Sequence, residues 1–163
     1  MKALLVLLFA LTAVAQVAVP PLKGRVTDLT GTLKPDQVAA LEQMLQSFEA
    51  RKGSQIAVLM LPTTQPEAIE QYALRVAEQW KIGRKKVDDG VVMVVAKDDR
   101  AVRIEVGYGL EAILTNSRAA EIIERDILPR FRAGQPYEGI QAGARSIITT
   151  LIANEGQPRQ GRP

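Results

Sequence analysis

The chain contains neither cysteine nor histidine. Without cysteine there is no disulfide framework, no thiol nucleophile and no thiolate metal site, so the fold must stand on its core alone. Without histidine there is no Ser-His-Asp triad, no imidazole acid or base and no His-ligated zinc. Chemistry is left to carboxylates, Lys, Arg, hydroxyls, backbone groups, or a metal that accepts oxygen ligands. Among metals this favours calcium, with magnesium second, over zinc, copper or iron. Aromatic residues are sparse as well, with three Phe, three Tyr and one Trp. None is interleaved with basic residues as in a base-stacking platform. The formal net charge is +3, one less without Lys2, and Arg159 and Arg162 add to the excess from a tail. That near balance is no basic face, and no nucleic-acid partner is expected.

The first residues read as a leader. Met1 and Lys2 are followed by the apolar run Ala3 to Leu11, and Ala13-Val14-Ala15 is a small-residue cleavage site, so cleavage is expected after Ala15 and the protein is expected in the periplasm or exterior. The run is too short for a membrane span, and no other segment is long and apolar enough, so the mature chain is not expected to span a membrane. The expected organisation is a signal peptide over 1–15, an extended lead-in over 16–23, one domain over 24–153, and a disordered tail over 154–163.

Within the domain, Pro35 suits a first helical turn, and Val38, Leu41, Leu45 and Phe48 recur at helical spacing until Gly53. Gln55 to Leu61 is a buried strand ended by Pro62. Pro66 opens a second helix with Ile69, Tyr72, Ala73, Val76 and Trp80 on one face, closed by Ile82-Gly83. Two strands follow, Val91 to Ala96 and Ala101 to Val106, joined by the charged turn Lys97-Asp98-Asp99-Arg100. A helix capped at Asn116 or Ser117 carries Ala120, Ile123, Ile127 and Phe131, with Pro129 to kink or end it. A last helix runs from Tyr137 to Ala153 with Ile140, Ala144, Ile147 and Leu151 aligned. The order specifies an α/β fold, a three-layer α/β/α sandwich whose small mixed β-sheet is flanked by helices.

An even-numbered loop between the two later strands has a chemical consequence. It sets Gly90 opposite Gly107, Asp89 opposite Tyr108 and Asp88 opposite Gly109, so two carboxylates face a glycine-rich loop at one end of the sheet. Such a pair repels itself unless a cation, a proton or backbone N–H groups compensate, which makes it a candidate hard-cation site. It lacks the ligand ladder of an EF-hand, and a solvated loop is the alternative. Asp28, ahead of the first helix, is expected to cap local backbone N–H groups.

Several motifs fall in a shared order. They are Val26-x-Asp28, Gly53-x-Gln55-Ile56-Ala57-Val58, Trp80-x-Ile82-Gly83-Arg84-Lys85, Asp88-Asp89-Gly90-Val91, Asp99-Arg100 with Arg103-Ile104, Gly107-Tyr108-Gly109-Leu110-Glu111, and Ile127-x-Pro129-x-Phe131-Arg132 with Tyr137-x-x-Gly139-Ile140. Together, from about Gly24 to Ala153, they resemble the TPM domain, a family named for a plant thylakoid lumen protein, a photosystem II repair protein and a nematode acetylcholine-receptor auxiliary protein.

The resemblance implies an α/β/α sandwich facing a lumen, periplasm or exterior, with acid phosphatase activity, calcium binding, or repair and assembly of membrane complexes among its members. Carried over, the acidic positions are Asp28, Asp88 and Asp89, with Glu111 at the same end as the pair, and Gly90, Gly107, Tyr108 and Gly109 form the loop beside them. Asn116 stands where the family often has Asp. The leading expectation is a calcium-binding interaction or assembly module of the cell envelope, its partner an envelope or membrane protein complex. The alternatives are a metal-assisted phosphomonoesterase, with Arg84, Lys85 and Lys86 meeting phosphate, and a metal-free structural adaptor. No nucleotide, haem or zinc cofactor is expected.

Overall fold

A computed structural model describes residues 15–154. All but the last residue of the expected leader and all but the first residue of the expected tail lie outside the described residues. Four strands form one sheet in the order β1 (Val26–Asp28), β2 (Gln55–Leu61), β3 (Gly90–Ala96), β4 (Ala101–Val106). The first three are parallel and β4 returns antiparallel to β3, so the sheet is mixed as the element order requires.

Helix α1 (Pro35–Lys52) starts on Pro35 and ends on Gly53, whose φ of 78° is the left-handed conformation that glycine adopts without strain. Leu41, Leu45 and Phe48 are its buried stripe. They meet the face of the sheet formed by Ile56, Val58, Met60, Val91, Met93, Val95 and Ile104. Helix α5 (Pro136–Ala153) covers the same face with Ile140, Ala144, Ile147 and Leu151. On the opposite face, alternate residues Ala57, Leu59, Leu61, Val92 and Val94 pack with Tyr72, Ala73, Val76 and Trp80 of α2 (Ile69–Trp80). β3 is therefore buried at every position, which is why it reads as an unbroken apolar run.

Two elements depart from expectation. Helix α2 begins at Ile69; Pro66 lies in the preceding turn, after a cis peptide bond with Gln65. The helix of Asn116 does not end at Pro129. α3 (Asn116–Ile122) passes into a π turn (Ile123–Ile127), where Leu128 N–H reaches back to the Ile123 carbonyl, and continues as α4 (Leu128–Arg132). The extra residue in the wide turn shifts the buried stripe to Ala119, Ile122 and Ile127, leaving Ala120 exposed.

The lead-in is an ordered strap. Tyr72 Oη donates to the Ala18 carbonyl (3.0 Å), Arg75 Nη2 to that of Val17 (3.0 Å) and Trp80 Nε1 to that of Pro20 (2.7 Å). Val17 and Val19 pack against the cluster under α2. Because α2 lies over β3 and β4, the strap covers part of that face which the helix leaves open.

Candidate functional site

The four-residue turn Lys97 to Arg100 gives the β3–β4 hairpin the even register, with Val91 opposite Val106 and Gly107 N–H donating to the Gly90 carbonyl (2.7 Å). Asp88 and Asp89 accordingly sit beside the Gly107-Tyr108-Gly109 loop, at the amino end of β3. Their side chains part company there. Asp89 is 1% exposed and accepts Arg84 N–H (2.8 Å), Arg84 Nε (2.8 Å), Arg84 Nη2 and the Ser54 hydroxyl (3.2 Å). Burial pushes its carboxyl upward, but the Arg84 side chain, the Arg84 N–H and Ser54 together hold it below the ordinary aspartate value. Its charge is matched within the protein, and it ties the loop before β3 to the start of β2, where its carbonyl accepts Gln55 N–H (3.2 Å).

Asp88 points the other way. It is exposed, with φ of 53°; its carboxylate accepts Tyr108 N–H (3.0 Å) and its carbonyl accepts Gly109 N–H (2.9 Å). The approach is so close that a Cβ at Gly109 would run into the Val87 carbonyl. Tyr108 opens a short 3-10 turn (Tyr108–Leu110) and is 56% exposed, and Glu111 follows it on the surface. Arg84 is committed to Asp89, leaving Lys85 and Lys86 as exposed cations nearby.

Asp28 is at the opposite end of the sheet. It pairs in register with Met60, five residues along β2 from Gln55, the partner of Gly90. At about 3.3 Å per residue that separates it from the Asp88–Asp89 end by roughly 17 Å. Its carboxylate accepts Thr30 N–H (2.8 Å), Thr30 Oγ1 (2.6 Å) and Leu33 N–H (2.8 Å), the local capping expected of it. Burial raises its carboxyl, yet the donors from Leu33 and Thr30 leave it below the ordinary value. Asp28, Asp88 and Asp89 are thus not brought together. Among the described residues no group of three or more acidic side chains is arranged to hold a metal ion.

What the sequence reading missed lies at Asp28's end. A cavity of about 720 Å³ opens at the carboxyl ends of the parallel strands, where open α/β sheets take their ligands. Met60, Val95, Leu128 and Phe131 make its apolar wall, and Thr32, Lys97, Arg100 and Arg132 its polar rim. Lys97 Nζ donates to Thr32 Oγ1 (3.1 Å). Among the described residues, none of these three cations forms an ion pair. Two of the nearby carboxylates are already engaged, Asp28 in its own loop and Asp99 by the Thr63 hydroxyl (2.7 and 2.9 Å) and Thr64 N–H (3.0 Å), whereas Asp98, in the same turn as Lys97 and Arg100, is exposed. In the sequence its residues fall in separate motifs, Asp99-Arg100 and Phe131-Arg132 among them, and nothing local sets these beside Thr32, Met60 and Lys97.

Three solved structures share this architecture. The N-terminal domain of a protein from P. gingivalis is 30% identical over 84% of this chain and 87% of its own, with a TM-score of 0.73. BA42 from Bizionia argentinensis is 19% identical over 77% and 86%, with a TM-score of 0.66. The N-terminal domain of cg2496 from Corynebacterium glutamicum is 14% identical over 91% and 97%, with a TM-score of 0.64. No curated protein matches the chain. The TPM domain family model matches residues 26–150, nearly all of the folded part, and the chain belongs to that family.

Proposed function

We propose that this TPM domain is a binding module of the cell envelope whose ligand carries an anionic group, phosphoryl or carboxylate, on an apolar body. The observation that supports it is the three cations Lys97, Arg100 and Arg132 on the rim of one apolar cavity, none of which forms an ion pair among the described residues. An anion there gains charge-assisted hydrogen bonds from the guanidinium groups, and the Leu128–Phe131 wall takes the apolar part. The cavity has the size of a small-ligand site. This reading keeps the envelope role expected from the leader and moves the site from the acidic loop to the other end of the sheet. It is compatible with a phosphomonoester as ligand, and it assigns no nucleophile.

The test is a titration of the isotope-labelled protein, followed by NMR, with phenyl phosphate, benzoate and calcium in separate arms. Saturable shifts from either anion at Thr32, Lys97 to Val102 and Phe131 to Gly134 are expected, with affinity about tenfold lower in Lys97→Ala and in Arg132→Ala, the loss of one charge-assisted bond each. Hydrolysis of 4-nitrophenyl phosphate that falls in the same variants would extend the reading to a phosphomonoesterase. Shifts only with calcium, centred on Asp88 and Tyr108, would overturn it in favour of the calcium-binding module.

A further inference from the structure

The strap and the cationic rim of the cavity lie on opposite faces of the sheet, the strap with Leu59 and Leu61, the cavity with Met60 and Val95. They are nevertheless joined by hydrogen bonds. Arg75 stands at the strap's end of the connection. Its Nη2 donates to the Val17 carbonyl (3.0 Å) and its Nε to Glu67 Oε1 (3.0 Å). Its guanidinium also lies 5.3 Å from the centre of the Tyr72 ring, whose hydroxyl holds Ala18. The Glu67 side chain is 6% exposed, so the pair is sheltered and its fork geometry well defined.

From Glu67 the bonds continue to the turn between β3 and β4. Glu67 N–H donates to the Thr64 carbonyl and Thr64 Oγ1 to the Glu67 carbonyl, both at 3.1 Å. Thr64, itself buried, donates its N–H to Asp99 Oδ2, and the Thr63 hydroxyl donates to the same carboxylate. The turn is held to this segment again by Lys97 N–H on the Leu61 carbonyl (2.9 Å) and Asp98 N–H on that of Pro62 (2.8 Å). Asp99 thus anchors the turn that carries Lys97 and Arg100 to the cavity.

The strap is the more weakly held end. Three side-chain donors and two half-buried valines fix it, and among the described residues no backbone bond ties it to the sheet. Such a segment opens more readily than the core, so it has two states, docked and free. We propose that strap docking and anion binding are coupled. The docked strap, through Arg75, Glu67, Thr64 and Asp99, holds the turn in the arrangement that binds the anion, and the anion in turn favours the docked strap. This rests on the reading of the cavity as an anion site.

A double-mutant cycle on the full chain, titrated with phenyl phosphate and with benzoate and followed by NMR, is the test. Val17→Asn/Val19→Asn frees the strap without adding charge, which lowers the heteronuclear NOE of residues 16–19. Anion affinity is expected to fall about fivefold, and saturating anion to raise those NOE values again. Adding Tyr72→Phe, which removes the bond to Ala18 and keeps the ring, should deepen both losses. Asp99→Ala cuts the connection; because it also removes a negative charge beside the rim, the quantity compared is the ratio of affinities with and without the strap substitutions. That ratio should return to about one in the Asp99→Ala background. Equal affinity with the strap docked and free overturns the proposal and leaves the anion site standing, as does a fivefold loss that persists in Asp99→Ala. A native protein that binds neither anion overturns both.

Discussion

Asp89 illustrates how much a carboxylate's role depends on what reaches it. Four donors converge on it below the surface, so replacing one carboxylate oxygen with an amide NH2 sets donor against donor and leaves the Arg84 guanidinium without its counter-charge. Asp89→Asn is expected to lower unfolding free energy by about 2 kcal/mol in a urea titration. Because Asp89's charge is already neutralised by Arg84, the loss should be the same with and without calcium. Asp28 and Asp89 both have carboxyls held below the ordinary value of 3.8. A depressed folded value means the unfolded chain binds the proton first, so the stability they contribute is complete above about pH 4 and drains away as pH falls through the folded values. Thermal melts from pH 5 to pH 2 should fall less steeply at the acid end in Asp89→Asn than in the native protein.

Among the elements, the hairpin was readable because its loop is even and polar, and the helices α1 and α5 because their stripes keep one period along their length. The π turn was not, since a 3.6-residue pattern drawn through Ala120, Ile123 and Ile127 has no way to register an inserted residue ahead of Pro129. Nor was the division of labour between Asp88 and Asp89, which depends on an arginine folding back across a loop. Close approach is the other hidden constraint. A Cβ at Gly90 would strike the backbone carbonyl of Ile82, whereas one at Gly31 meets open space and pays only for its φ of 63°. Gly90→Ala should cost about 2–3 kcal/mol, and Gly31→Ala about 1, by denaturant unfolding.

Over the whole molecule, both ends of the sheet carry charges of both signs, and they differ in which of those charges are paired. The acidic loop that drew attention in the sequence is knitted into structure by Arg84 and by the backbone of Tyr108 and Gly109. The polar rim at the other end is drawn from residues 32, 97, 100 and 132, a set no local pattern unites. The three-layer architecture could be read from element order, but which carboxylates are tied to arginine or to backbone N–H groups follows only from the three-dimensional pairing. The strap adds a practical consequence. The chain's single tryptophan, Trp80, is 7% exposed and donates its indole N–H to Pro20. Its fluorescence therefore reports directly on whether the strap is docked, with no added label, and a red-shift of emission that precedes loss of helical circular dichroism would mark undocking as a step separate from unfolding.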